Sequence, residues 1–215
     1  MKHKLLFTAL FLCIAVSLQA QFVTGSKSGN SQVKSQSGAT SYAREGFQKG
    51  DSRSIGNFYY SRMMDMEDLD LNFNLGFDLQ SGVYLQDNLF VQGGLGWMHG
   101  GYRYEYDLRH SMNVTESMLY VPISIGYDIP TGENSALEVY TGPRLNYKIY
   151  GKVEENRNGT THKTKYKDID GIERFYMNWN IGAALTFNTW GIAVEYRPAF
   201  DDKFPDYISF GFIWK

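Results

Sequence analysis

The sequence predicts an all-β protein, an antiparallel up-and-down transmembrane β-barrel of about eight strands. Three observations carry this: a two-residue hydrophobic period from about residue 54 to the end, an aromatic-rich composition, and connections that alternate between tight and long. The last nine residues show the period most cleanly. Ile208, Phe210, Phe212 and Trp214 share one face of an extended strand, because successive side chains point to opposite sides. Tyr207, Ser209 and Gly211 take the other face. A greasy stripe backed by a small, wet one suits a strand lying between lipid and a lumen.

The same alternation defines the earlier strands. Leu71, Phe73, Leu75, Phe77 and Leu79 oppose Asp70, Asn72, Asn74, Gly76 and Asp78. Leu119, Val121, Ile123, Ile125, Tyr127 and Ile129 oppose Tyr120, Pro122, Ser124, Gly126 and Asp128. Leu137, Val139, Leu145, Tyr147 and Ile149 oppose Glu138, Tyr140, Arg144, Asn146 and Lys148. Phe175 to Phe187 and Trp190 to Tyr196 repeat it, with Asn178, Asn180, Gly182, Glu195 and Arg197 on the polar side. Residues 88–104 are a Gly-rich strand, and in 54–64 either parity could face out. The period is two rather than 3.6, so strands are expected throughout.

Between these strands, tight turns at Gln86-Asp87-Asn88, Pro130–Ser135 and Asn188-Thr189 alternate with long loops expected over 105–117 and 151–173. Outer-membrane barrels are built this way, with turns at the periplasmic rim and loops outside. Pro122 and Pro143 lack an N–H, so each is expected to distort its ladder.

A length of 215 residues suggests one domain with room for a leader. Sixteen Tyr, 14 Phe and 22 Gly lean towards strands and turns. A net charge of −2 without a basic stripe argues against a nucleic-acid partner. Residues 1–20 read as a cleaved signal peptide: Lys2, His3 and Lys4, an apolar run from Leu5 to Val16, then a small residue at Ala20. The apolar run is short for a spanning helix, which needs about 20 residues. Cys13 lies inside this leader behind Phe11 and Leu12, which disfavours lipidation. The mature chain then has no thiol for disulfides, catalysis or metal binding. Residues 21–53 are rich in Ser, Gly, Gln and Lys and are expected to be a flexible polar segment, followed by the barrel over 54–215.

No constellation points to an enzyme or a cofactor. Asp65, Glu67, Asp68 and Asp70 lack the sixth-position glycine of a calcium loop. His99, His110 and His162 have no metal-ligand spacing and are expected near or in loops, and His110-Ser111 is adjacent rather than spaced for a triad. Lys163, Lys165 and Lys167, mixed with Asp168 and Asp170, form a solvated loop that could touch lipopolysaccharide.

The polar stripes are more telling. Asp78, Asp128, Glu138, Arg144, Lys148, Glu195 and Arg197 all fall on them. An arginine at mid-membrane on the lipid face costs about 2–4 kcal/mol, so these charges belong inside. Both signs are present, so they are expected to pair and fill a narrow lumen.

Leu119-Tyr120-Val121-Pro122-Ile123-Ser124-Ile125-Gly126-Tyr127, with Tyr140-Thr141-Gly142-Pro143 and Asn180-Ile181-Gly182-Ala183-Ala184, resembles the PorT-like outer-membrane barrels common in Bacteroidetes. The resemblance spans residues 54–215 and implies an eight-stranded barrel, without implying one activity. Its namesake supports protein secretion and gliding. Lys215 departs from the aromatic residue that usually ends such strands.

The sequence therefore reads as a non-enzymatic outer-membrane barrel with a plugged interior and exposed loops. Expected contacts are outer-membrane lipid, lipopolysaccharide and envelope or secretion-system proteins. The alternative is a soluble lipocalin-like carrier in the periplasm, with the faces inverted around an apolar cavity.

Overall fold

The computed structural model describes residues 47–64, 69–107, 109–201 and 203–215. The expected signal peptide, most of the N-terminal segment, and Asp65, Glu67 and Asp68 of the acidic turn lie outside these residues. Nine strands follow one another: β1 (Ser52–Met64), β2 (Leu69–Gln86), β3 (Leu89–Asp107), β4 (His110–Gly132), β5 (Ser135–Arg157), β6 (Thr160–Lys165), β7 (Phe175–Phe187), β8 (Trp190–Arg197) and β9 (Asp206–Trp214). All pairings are antiparallel. Each ring strand pairs with its neighbours, and β1 meets β9 with Tyr59 opposite Gly211, which closes a barrel of eight. The ninth strand, β6, pairs only with the outer part of β5.

The lipid-facing stripe is the one that the hydrophobic period marks. Phe73, Phe77, Leu79, Leu95, Ile123, Ile125, Trp190, Ile192, Phe210 and Phe212 all point outward and are exposed. In β1, odd residues turn inward: Ile55, Asn57, Tyr59, Ser61 and Met63 are buried while Phe58 and Tyr60 face out. A soluble carrier needs the reverse arrangement, so that alternative is set aside.

Three tight turns, Asp87-Asn88, Glu133-Asn134 and Asn188-Thr189, share one end of the barrel. That end also holds the start of β1 and the end of β9: Asn88 N–H donates to Phe47 O, and Lys215 N–H to Thr189 O.

The opposite end corrects the expectation of long loops. The described residues of 105–117 lie in β3, which runs to Asp107, and in β4, which begins at His110, with Arg109 before it. Over 151–173 it runs along β5 to Arg157, turns at Asn158-Gly159 and returns as β6. Both turn residues have positive φ, 52° and 80°, the requirement of a tight hairpin turn. Hydrophobic alternation ends where one face stops meeting lipid, but backbone pairing continues past that point. The period reports burial, and here the ladder outlasts it.

The two prolines interrupt the ladder without shifting it. Around Pro143 the β4–β5 pairing skips from Pro122↔Arg144 to Ile125↔Thr141, and around Pro122 the β3–β4 pairing skips from Gly93↔Ile123 to Gly96↔Tyr120. Residue sums are equal on both sides of each gap (266 and 216), so the register is kept.

Large aromatic rings fill the interior because glycines face them. Tyr59 lies opposite Gly76, Phe90 opposite Gly126, Tyr120 opposite Gly96, and Tyr140 opposite Gly182. At each of these glycines a Cβ would run into the ring. The glycines on the inner stripe thus make room for tyrosines on the neighbouring strand.

Candidate functional site: a filled lumen and its outer rim

The lumen holds three tiers of polar contacts. Nearest the tight turns, Arg53 from β1 is the hub. Its Nε donates to Gln92 Oε1 at 2.7 Å, its terminal nitrogens reach Asp128 at 3.4 Å and Glu138, and its guanidinium lies 4.0 Å from the centre of the Phe90 ring. Tyr84 donates to Asp128 at 2.5 Å and stacks on Phe47, with centroids 4.5 Å apart. Glu138 also accepts from Thr186 at 3.0 Å and pairs with Lys215 at 2.6 Å.

The middle tier is built on Asp78, which accepts from Asn57 at 2.8 Å, Gln80 at 2.9 Å, Tyr120 at 3.0 Å and Tyr59. Above it, Arg197 pairs with Glu195, which also accepts from Tyr140 at 2.9 Å. Arg197 lies 4.5 Å from the Tyr59 ring centre, and Arg144 lies 3.3 Å from that of Tyr120.

The outer tier lies at the end away from the tight turns. Lys148 donates to Glu116 at 2.8 Å, and Tyr166, carried on a 3₁₀ turn after β6, donates to the same carboxylate. Burial, and then the Glu116 carboxylate, push the Tyr166 phenol well above its ordinary pKa. Phe204 stacks on Tyr176 at 4.4 Å, and Met63, Met98 and Met118 pack beneath them.

Of the residues expected to line the lumen, Asp78, Asp128, Glu138, Arg144, Glu195 and Arg197 are buried, and Lys148 is half-buried. Their pairing differs from expectation at one point. Among the described residues Arg144 makes no ion pair: it stacks on Tyr120, its Nε donates to Asn146 at 3.1 Å, and neither terminal nitrogen has a hydrogen-bond partner there. It lies opposite Pro122 and Asn178, and no strand neighbour offers it an acid.

Sequence reasoning missed Arg53, Glu116, Tyr166 and the role of Lys215. Arg53, the second residue of β1, lies just before the 54–64 stretch in which the sequence shows a strand, and the parity of that stretch is ambiguous because both of its faces carry aromatics. Glu116 lies in what reads as loop. The signals available were the cross-strand Gly–aromatic pairs and the Asn158-Gly159 turn.

The histidines are also on strands rather than in loops. His99 on β3 shares a 2.6 Å hydrogen bond with Ser117, directly opposite on β4. His110 begins β4 and bonds Glu155 at 2.8 Å, and His162 is exposed on β6. No cluster of three metal-ligating side chains occurs among the described residues.

On the outer rim, Glu154 is held by Lys152 and by Lys163 at 3.3 Å. The hydrogen bonds from Lys152 and Lys163 hold its carboxyl below the usual range.

A closed antiparallel barrel with an apolar belt and a polar, filled lumen defines a class, the transmembrane β-barrels. Residues 19–204 match the model of the outer membrane protein beta-barrel domain, and the chain belongs to that family of the outer membrane. Solved structures similar to it include Ail, the attachment invasion locus protein of Yersinia pestis, at 18% identity over 77% of this chain and 95% of that one, TM-score 0.40. The N-terminal β-barrel domain of Pseudomonas aeruginosa OprF is 12% identical over 78% and 98%, TM-score 0.37. Neisserial surface protein A is 11% identical over 76% and 95%, TM-score 0.33. At these levels the likeness has no bearing on function. No curated protein sequence matches the chain.

Proposed function

We propose that this protein is a non-enzymatic, plugged barrel of the outer membrane, exported through a cleaved signal peptide, whose long hairpins contact surface polysaccharide or envelope proteins. The filled lumen carries the reading. Arg53, Asp78, Arg144 and Arg197 lie across the bore with their aromatic partners, and Tyr166 and Phe204 cover one mouth. Such an interior serves rigidity rather than conduction.

Against catalysis stands the His99–Ser117 pair: it is a cross-strand contact, and no carboxylate completes it among the described residues. The finer placement among the PorT-like barrels of Bacteroidetes rests on Tyr120-Val121-Pro122, Gly142-Pro143 and Asn180-Ile181-Gly182, and it favours a secretion-system partner. The β3–β4 and β5–β6 hairpins face outward in this reading, since periplasmic turns are short.

Surface proteolysis tests the arrangement. Trypsin added to intact cells is expected to cut at Lys163, Lys165 or Lys167, which are exposed on β6 and the segment after it. Cleavage only after the outer membrane is opened overturns the orientation and the surface role with it.

A further inference from the structure

β5 changes partner part-way along its length, and the change leaves a seam in the wall. It pairs with β7 as far as Tyr147↔Phe175 and with β6 only from Lys152↔Lys165. Residues 148–151 therefore have no strand on that side. The β4–β5 ladder carries an extra residue, Ile149, at the same height, since Met118 pairs with Lys148 and Ser117 with Tyr150. Tyr166 lies over Gly151, where a Cβ would run into its ring. A cavity of about 120 Å³ remains in the seam, lined also by Lys148, Ile149, Tyr150, Lys165, Lys167 and Arg174. That is room for about four waters at ~30 Å³ each, or for one tetrahedral oxyanion.

Several cations elsewhere on the rim are held in ion pairs. Lys152 and Lys163 are matched by Glu154, and Lys203 by Glu173 at 3.0 Å. Inside the cavity Lys148 is paired with Glu116. Lys165, Lys167 and Arg174 have no ion-pair partner among the described residues. Asp168, Asp170 and Glu173 alternate with them along the chain, but none of the three lines the cavity. Three basic residues without an ion-pair partner among the described residues thus line a cavity whose lining includes no acidic residue.

Directly below lies the lipid belt. Tyr147 and Phe175, opposite each other on β5 and β7, point outward and are 49% and 61% exposed, and Ile149 is 45% exposed. A ligand that satisfies both parts has an anionic head and apolar chains. We propose that the seam between β6 and β7 holds the phosphate of an outer-leaflet lipid, with its acyl chains lying on Tyr147 and Phe175. Arg174 immediately precedes β7, and its backbone carbonyl accepts from Lys148 N–H at 2.8 Å, so the backbone that carries this cation is anchored at the belt's edge. Guanidinium and ammonium groups bind phosphate oxygens through charge-assisted hydrogen bonds, which are among the stronger polar contacts. The site rests on the outward orientation of the hairpins proposed above and names what the rim binds there.

The full-length barrel, purified in detergent, is titrated with bis-phosphorylated lipid A and with the dephosphorylated lipid, and retained lipid is counted by native mass spectrometry. The parent is expected to retain the phosphorylated lipid. The triple variant Lys165→Gln/Lys167→Gln/Arg174→Gln is expected to bind it about tenfold or more weakly, having lost several charge-assisted contacts. Lys203→Gln, which removes a rim lysine outside the cavity, is expected to bind like the parent. The dephosphorylated lipid on the parent is expected to bind as weakly as the phosphorylated lipid on the triple variant, a comparison that needs no mutation. Equal retention of the two lipids by the parent overturns the proposal, as does equal retention by parent and triple variant. Inorganic phosphate displacing the lipid at equal concentration assigns the site to a free anion and overturns the lipid assignment. Binding in detergent does not depend on orientation in the cell, so this result and the proteolysis result can fail separately.

Discussion

The ammonium of Lys215, the last residue of the sequence, lies 2.6 Å from Oε1 of Glu138, a carboxylate with no exposed surface. The two residues come from β5 and the end of β9, and Arg53 of β1 meets the same carboxylate from another side. Glu138 therefore ties three parts of the ring together near the tight turns. Lys215, which directly follows Trp214 of β9, supplies a cation to the lumen.

Removing the two cations is expected to have unequal effects. Lys215→Ala leaves Glu138 with Arg53 and Thr186 and is expected to cost about 1.5–3 kcal/mol, the worth of one hydrogen bond to a charged group. Arg53→Leu strips a cation from both Glu138 and Asp128 and is expected to cost about 3–5 kcal/mol, because it leaves buried charge unpaired. Urea titration followed by heat-modifiable gel mobility measures both. Equal losses would show that Arg53 is not the hub.

For Arg144 the expected cost is smaller than its burial suggests. It faces the Tyr120 ring rather than an acid, so Arg144→Leu leaves no carboxylate unpaired. A desolvated cation–π contact is worth about 2 kcal/mol and the hydrogen bond to Asn146 about 1 kcal/mol, so the loss is expected to be about 2–3 kcal/mol, below that of Arg53→Leu. A loss as large as that of Arg53→Leu would mean that Arg144 neutralises an acid after all.

Gly182 is a packing residue. A Cβ there meets the Tyr140 ring, whose hydroxyl donates to Glu195. Gly182→Val is expected to destabilise the barrel by about 1–3 kcal/mol through overpacking. Tyr140→Phe in the same background keeps the ring, so it should not relieve the loss, whereas Tyr140→Ala should relieve part of it. Relief by Tyr140→Phe alone would place the strain elsewhere.

The belt was legible in the sequence because lipid imposes a two-residue period on the ring strands from Phe73 to Phe212; in β1 adjacent aromatics on both faces hid it. Much of the lumen was legible by subtraction, since Asp78, Glu138 and Arg197 could not face lipid. Which charge meets which was not legible. Arg144 and Glu138 share a face of β5, yet Glu138 pairs with Arg53 across the bore, and that choice depends on closure and register. Above the membrane the period fails. There, the paired course of β3–β4 and β5–β6 rests on backbone hydrogen bonds that hydrophobicity does not report, with Asn158-Gly159 the clearest local sign.

The β5–β6 hairpin is expected to loosen in acid. Glu154 has its carboxyl pKa depressed by Lys152 and Lys163. A depressed folded value contributes stability that is present above the unfolded glutamate value of about 4.3 and is lost as pH falls through the folded value beneath it. Hydrogen exchange of the β5–β6 amides should therefore lose protection below about pH 4, after correction for the intrinsic pH dependence of exchange. Glu154→Gln should remove that step. A step that survives the substitution assigns it to another group.

Conductance across a planar bilayer tests the central claim, a lumen that is filled and locked, most directly. The purified barrel, inserted at neutral pH, is expected to give no stable openings, because Arg53, Arg144, Arg197 and their partners occupy the bore and Tyr166 and Phe204 cover one mouth. Arg53→Ala/Lys215→Ala, if it still folds, should admit brief openings through the loosened inner tier. Steady, ohmic openings of the unmodified protein, seen in every insertion, would contradict the account.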